Sequence, residues 1–171
     1  MPGVVKSPPL TIISGGQTGV DRAALDAALA LGFPCGGWCP AGRLDEDGVI
    51  PEKYPVKELK KGGYKLRTIQ NIDDSDGTLI LYFATLEGGT EETVFRCIKL
   101  GRPYKLIDGS EIPTARAAEL AADFVRAQGL AKLNVAGPRA SKCPIAHGYA
   151  FEVVSGLLRH VGRAQNQTSI Q

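Results

Sequence analysis

The fold of this chain is decided by Thr11-Ile12-Ile13-Ser14-Gly15-Gly16-Gln17-Thr18-Gly19, a short apolar run that ends in a glycine turn. A helical pattern follows at once, and the same succession of strand, turn and helix recurs from residue 79 and again from residue 133. Backbone N–H groups at such a turn, together with the positive end of the helix dipole, favour bound anions. Parallel strands would place all the turns along one edge of a sheet, where open α/β proteins bind ligands.

Apolar periodicity predicts strands that alternate with helices. Strands are expected over 11–14, 33–38, 78–83, 103–107 and 133–136, and helices over 20–31, 66–73, 91–100, from Pro113 to before Gly129, and 144–161. Connections of this length are too long for hairpins and require a parallel sheet with helices on both faces. The sequence therefore predicts an α/β fold, a three-layer Rossmann-like arrangement whose mainly parallel sheet has about five or more strands flanked by helices.

Two segments carry more detailed predictions. Residues 40–61 contain proline, glycine and charged side chains without a regular period, which predicts an ordered loop that forms a lid. In the helix after the second turn, Thr90 is expected as the N-cap, with Val94, Phe95 and Ile98 on the buried face.

Composition predicts one domain over residues 1–171, with its core over 10–162 and a frayed tail over 163–171. The net charge of +2 is too small to favour nucleic acid as a partner. No segment has the roughly 18 consecutive apolar residues that a membrane span needs, so we expect a soluble, cytoplasmic protein. The 4 cysteines are scattered and are expected to be reduced thiols, with Cys143 in the third turn as the candidate for reactivity.

The first turn offers neutral hydrogen-bonding groups. Its candidate site residues are Ser14, Gly15, Gly16, Gln17, Thr18, Gly19 and, at the start of the helix, Arg22. The spacing departs from the dinucleotide pattern GxGxxG and lacks the lysine of a GxxxxGK[ST] loop. The glycines either approach a ligand closely or simply form a tight turn.

The second turn differs because it contains acid. Its candidates are Gly88, Gly89, Thr90, Glu91 and Glu92. The two carboxylates either stabilise the helix start or accept hydrogen bonds from a protonated heterocycle or from sugar hydroxyls, and a free phosphate is not expected to bind at this turn.

The third turn is the strongest anion candidate in the sequence. Gly137 lets the backbone approach a ligand, Arg139 supplies several donors, and Ser141 precedes the last helix.

Neither a catalytic set nor a metal site can be recognised in the sequence. The acids at 45–47 are expected to form a solvated loop, and Asp74 and Asp76 to form a turn. His147 has no second ligand at metal spacing and is expected to be a neutral hydrogen-bonding residue.

Six stretches taken together resemble the molybdenum cofactor carrier proteins. They are Ser14 to Asp26, Gly37 to Arg43, Asp47 to Pro51, Asp74 to Thr78, Gly88 to Thr90 and Asn134 to Arg139. This family is similar to a wider Rossmann-like group that includes the lysine-decarboxylase-like, cytokinin-activating phosphoribohydrolases. The resemblance covers the chain from the first strand to the last helix.

The resemblance implies a homo-oligomer, a dimer or a tetramer, with a pocket formed by the glycine turns. Its ligand would be the molybdenum cofactor, a phosphorylated pterin, with molybdoenzymes as recipients. Arg139 would hold the phosphate, and Glu91 or Glu92 the N–H edge of the pterin. A nucleotide monophosphate would satisfy the same groups.

The leading hypothesis is thus a carrier that binds a small phosphorylated heterocycle without transforming it. The alternative is a phosphoribohydrolase-like N-glycosidase that uses Glu91 or Glu92. The phosphoribohydrolase pattern PGGxGTxxE is not matched, because residues 87–93 read EGGTEET, with one glycine missing and the acid displaced.

Overall fold

The computed structural model describes residues 7–167, a three-layer α/β arrangement built around a five-stranded parallel sheet. In chain order the elements are β1 (Thr11–Ile13), α1 (Val20–Leu31), β2 (Cys35–Gly36), β3 (Trp38–Cys39), β4 (Leu44–Asp45), β5 (Gly48–Val49), β6 (Lys57–Glu58), α2 (Tyr64–Asp73), β7 (Gly77–Tyr82), α3 (Gly88–Leu100), β8 (Tyr104–Asp108), α4 (Thr114–Gln128), β9 (Lys132–Ala136) and α5 (Ala146–Gln167).

The main sheet has the strand order β2-β1-β9-β7-β8, and every pairing in it is parallel. The central strand β9 pairs with β1 through Leu133 and Ile12, and with β7 through Val135 and Leu79. Since β1, β9 and β7 are parallel neighbours, the turns that follow them lie side by side at one edge of the sheet. This confirms the predicted Rossmann-like fold.

Helices cover the sheet on both faces, as the sequence of β7 requires. Leu79, Ile80 and Leu81 are consecutive and all fully buried, so neither face of that strand meets solvent. The main apolar cluster joins the sheet to α1, α4 and α5, and α5 packs against both of the other two helices. Helices α2 and α3 contact each other and supply no residue to that cluster.

The helix after the second turn differs from the prediction. The N-cap of α3 is Glu87, so the helix begins at Gly88 and Thr90 lies in its first turn. Its buried side chains are Thr90, Thr93 and Cys97, whereas Phe95 is 59% and Ile98 56% exposed. The expected buried face was therefore wrong, because apolar periodicity marks an apolar face without showing what covers it.

The segment over 40–61 is ordered and contains short strands that the sequence did not reveal. β4 and β5 form an antiparallel hairpin, and β6 pairs in parallel with β3. The predicted strand over 33–38 is interrupted, so that β2 joins the main sheet and β3 leaves it. At the other end of the chain, α5 extends through Gln167, beyond the predicted start of the frayed tail, and residues 168–171 lie outside the described part.

Within residues 7–167, none of the helices combines the length and the apolar character that a bilayer crossing requires.

Candidate ligand-binding site

A cavity of about 490 Å³ opens where the turns after β1, β9 and β7 meet. This volume lies within the usual range for sites that bind small molecules. Its wall includes the aromatic residues Tyr64, Tyr82 and Phe83. Polar and backbone groups complete the lining: Gln17, Asp21, Thr85, Glu87, Gly88, Gly89, Thr90, Gly137, Pro138, Arg139, Lys142 and Cys143.

A second cavity of about 70 Å³ adjoins the first. The two share Asp21, Gly89, Thr90 and Gly137 in their linings, so the smaller one extends the larger one inward. Most of its other lining side chains are polar: Arg67, Thr68, Asn71, Thr93 and Asn134. A group that enters this inner space would exchange water for protein hydrogen bonds.

Asp21 and Arg67 form a buried ion pair beside the inner cavity. Nη1 of Arg67 donates to a carboxylate oxygen of Asp21 at 2.8 Å, and both side chains are about nine-tenths buried. Burial raises the pKa of Asp21, and the guanidinium of Arg67 opposes that increase. Neither residue was predicted from the sequence to be part of the site.

Gly15 allows this ion pair to form. A β-carbon at residue 15 would lie 1.8 Å from Nη1 of Arg67, so the guanidinium packs directly on the backbone of the first turn. The turn therefore uses this glycine to approach a buried arginine of α2 closely.

Most other groups of the first turn bind the protein itself. The hydroxyl of Ser14 is buried and donates to the carbonyl oxygen of Asp21 at 3.1 Å. Arg22 donates to the carbonyl oxygen of Gly16 at 2.9 Å and forms an ion pair with Asp45 at 2.6 Å. Among the predicted residues of this turn only Gln17 lines the larger cavity, and Gly15 lines the smaller one.

Contacts between the first and third turns are close. Gly19 has a φ of +82°, and a β-carbon there would lie 2.4 Å from the carbonyl oxygen of Pro138. The amide of Ala140 also donates to the hydroxyl of Thr18 at 3.2 Å. These two turns form one packed unit.

The third turn is occupied by a carboxylate from the hairpin. One oxygen of Glu46 accepts from the amide of Ser141 at 3.1 Å, the other accepts from the hydroxyl of Ser141, and the hydroxyl of Thr18 donates as well. Nε of Arg139 lies 3.7 Å from the same carboxylate, and 41% of the arginine side chain remains exposed. The expectation that residues 45–47 form a solvated loop was wrong for Asp45 and Glu46.

The second turn leaves its donors available. In the first turn of α3 the N–H groups of Gly88, Gly89 and Thr90 have no intrahelical acceptor, and no side chain caps this helix. All three residues line the larger cavity. Glu91 and Glu92 do not line either cavity, and Glu92 lies 3.6 Å from Arg96 one turn along the helix.

His147, which was predicted to be a hydrogen-bonding residue, does not line either cavity. His147 hydrogen-bonds through Nε2 to Asp26 at 2.9 Å, and the hydroxyl of Tyr54 donates to the other oxygen of Asp26 at 2.6 Å. In the part of the chain that is described, three or more histidine, cysteine or acidic side chains never gather in a way that could hold a metal ion.

A parallel sheet flanked by helices, with glycine turns around a polar and aromatic cavity, defines the class of this protein as a Rossmann-like α/β protein. The sequence model of the circularly permutated YpsA SLOG family matches residues 12–158, and the chain belongs to that family.

A solved structure agrees with this assignment. It is the crystal structure, at 1.45 Å resolution, of a protein of Syntrophus aciditrophicus SB that carries the name "Putative molybdenum carrier protein". The two sequences are 41% identical over 91% of this chain and 99% of the other, with a TM-score of 0.85. No curated protein matches the chain. The family resemblance inferred from the sequence is thereby confirmed.

Proposed function

We propose that this protein is a carrier that binds a small phosphorylated heterocycle, the molybdenum cofactor, and releases it unchanged. The observation that carries the proposal is the cavity of about 490 Å³, which has aromatic side chains in its wall and unpaired helix N–H groups. The name of the similar protein from Syntrophus supports molybdenum as part of the ligand. A nucleotide monophosphate remains the competing ligand for the same groups.

The phosphate would bind at the start of α3. Gly88, Gly89 and Thr90 line the cavity at the N-terminus of α3, where the N–H groups of the first helical turn and the positive end of the helix dipole favour an anion. Arg139 and Lys142 lie in the same cavity wall and add positive charge. This proposal differs from the sequence prediction, which favoured the third turn and expected no phosphate at the second. It makes the second turn the phosphate-binding loop, with Arg139 in a supporting role.

The heterocycle would lie against the aromatic wall. Tyr64 and Tyr82 offer ring surfaces for stacking, and Asp21 and Glu87 offer carboxylates for the N–H edge of a pterin. Asp21 and Glu87 replace Glu91 and Glu92 in that role, because Asp21 and Glu87 line the cavity and Glu91 and Glu92 do not. The cavity therefore offers groups for the phosphate and for the ring of the cofactor.

The hydrolase alternative receives less support. Its proposed carboxylates, Glu91 and Glu92, do not line either cavity. If the protein nevertheless released free base from a nucleoside monophosphate, and Glu92→Gln abolished the release, the hydrolase would replace the carrier.

Thermal shift against a panel of molybdopterin and nucleoside monophosphates tests the carrier proposal, together with native mass spectrometry of protein isolated from its host. We expect binding of at least one phosphorylated heterocycle, weakened about tenfold by Arg139→Ala through the lost charge-assisted bond. Arg126→Ala is the matched control, because Arg126 is exposed and pairs with Asp123 within α4, away from the cavity. No binding by any member of the panel would refute the proposal.

We further propose that the protein is a cytoplasmic homo-oligomer that delivers its ligand to molybdoenzymes. The exposed apolar side chains of α3, Phe95, Ile98 and Leu100, suit contact with a second copy. Native mass spectrometry should show a dimer or tetramer, and Phe95→Ser with Ile98→Ser should shift it toward the monomer. An unchanged mass in the double variant would exclude this face as the interface.

A further inference from the structure

The hairpin formed by β4 and β5 places a carboxylate against the third turn. Glu46 lies at its tip, and its two oxygens accept from the amide and hydroxyl of Ser141 and from the hydroxyl of Thr18. Nε of Arg139 lies 3.7 Å away. A backbone amide, two hydroxyls and a guanidinium are groups that protein sites use for phosphate and carboxylate ligands.

The carboxylate is held as an anion. Its side chain is only 14% exposed, and burial opposes ionisation. The hydrogen bonds from Ser141 and Thr18 and the charge of Arg139 outweigh burial and lower the pKa of Glu46. At neutral pH the third turn therefore already has a bound anion.

The hairpin has two other anchors that do not involve this carboxylate. The amide of Glu46 donates to the side-chain oxygen of Gln17 at 3.0 Å, and Asp45 pairs with Arg22 at 2.6 Å. These contacts keep the tip beside the third turn, so the carboxylate has a high effective concentration, in the millimolar range or above for a short tether. A free anion must exceed that concentration to replace it.

We propose that Glu46 is an internal competitor that closes a second anion site, composed of Ser141, Thr18 and Arg139, to phosphate and carboxylate ligands. The competition directs a single phosphate group to the start of α3 and leaves Arg139 tilted toward the hairpin. A ligand with a second anionic group opens the site by displacing Glu46. This inference rests on the proposed function only for the identity of the physiological ligand.

Titration with inorganic phosphate, followed by isothermal calorimetry and ³¹P NMR, tests the competition directly. Glu46→Ala should bind one more phosphate per chain than the wild type. The affinity of phosphate for the third turn should be at least about tenfold higher in the variant than in the wild type, because an internal competitor that occupies a site about nine-tenths of the time lowers the apparent affinity by that factor. Adding Ser141→Ala to this variant should abolish the gain.

Asp47→Ala is the matched control, since Asp47 belongs to the same hairpin turn, is exposed and carries the same charge. Equal phosphate binding by Glu46→Ala, Asp47→Ala and wild type would overturn the proposal. Glu46→Gln retains the side-chain size and should show a smaller gain, which guards against loss of folding in the alanine variant. Failure of the heterocycle panel with success here would refute the proposed carrier function alone.

Discussion

The second and third turns each connect a strand of the parallel sheet to a helix, but they differ in what occupies their hydrogen-bond donors. After β9, the donors of the third turn bind Glu46, and the turn packs against the first turn at Gly19. After β7, the residues that begin α3 line the cavity, and the N-cap of this helix forms no side-chain hydrogen bond. A glycine turn between a strand and a helix is thus a potential anion site, and the rest of the chain decides whether an external ligand can use it.

The largest expected effect concerns the contact between the first and third turns at Gly19. In Gly19→Ala the new β-carbon would lie 2.4 Å from the carbonyl oxygen of Pro138, at a φ of +82°. The clash and the left-handed strain together should cost about 3 to 5 kcal/mol of the free energy of unfolding, measured by urea denaturation.

Gly32→Ala is the control for that experiment. Gly32 has a φ of +69°, but nothing lies within 4 Å of a β-carbon there. It should lose only about 1 kcal/mol through backbone strain. Equal losses in both variants would show that the first and third turns do not depend on close contact.

The second prediction concerns the wall that the two cavities share. Arg67→Met leaves Asp21 buried without its partner, which should cost about 3 kcal/mol of unfolding free energy at neutral pH. The exposed pair of Arg126 with Asp123 supplies the control, and Arg126→Met should cost less than about 0.5 kcal/mol.

The pH dependence gives this prediction a sign. Loss of the arginine removes the charge that opposes the increase in the pKa of Asp21. A carboxyl with a raised pKa in the folded state stabilises that state when it is protonated, and this contribution is lost as the pH rises through the raised pKa. The deficit of Arg67→Met relative to wild type should therefore narrow as the pH falls toward the ordinary value of 3.8. A deficit that is constant with pH would exclude Asp21 as its cause.

The sequence predicted the sheet and its turns because short buried strands and amphipathic helices impose clear periods. Helix α1 was predicted over its observed range, and β9 begins one residue before its predicted start at residue 133. The same reasoning could not find Arg67, which lies in a short polar helix where an arginine is ordinarily solvated. Its burial depends on Gly15 and Asp21, which are distant in the chain.

The acidic hairpin shows a second limit of sequence reasoning. Local composition near Glu46 indicates a solvated loop, and only the folded chain brings Ser141 to it across 95 positions. Contacts of that kind have no periodic signal. The turns could be predicted from the sequence, but whether each turn was free for a ligand could not.

The third prediction tests whether the third turn remains accessible from the cavity. Cys143 lines the larger cavity and is partly exposed, whereas Cys39 and Cys97 are buried and burial raises their pKa values. Iodoacetamide should therefore label Cys143 at least about tenfold faster than either buried thiol, as measured by peptide mass spectrometry. A heterocycle that binds in the cavity should slow the labelling. Equal rates at all three thiols would mean that Cys143 does not face an open cavity.

The smallest expected effect concerns the second turn, the segment between β7 and α3. Ala84 has a left-handed φ of 63°, and its amide donates to Asp108 at 2.9 Å. Ala84→Gly should increase the free energy of unfolding by about 0.5 kcal/mol, because relief of the strain slightly exceeds the added entropy of the unfolded chain. Thermal and urea denaturation measure this change.

Arg43 provides the contrast, because it has a similar φ of 54° but its guanidinium donates to four backbone carbonyl oxygens, those of Ile50, Val56, Pro51 and Tyr54. Arg43→Gly should lose stability despite the same relief of strain, since those bonds hold the segment that carries the hairpin. If Ala84→Gly lowered the free energy of unfolding as much as Arg43→Gly, the backbone of the second turn would depend on its contacts as much as the segment that Arg43 holds. The second turn and the segment that carries the hairpin would then not differ in how strongly the backbone is held.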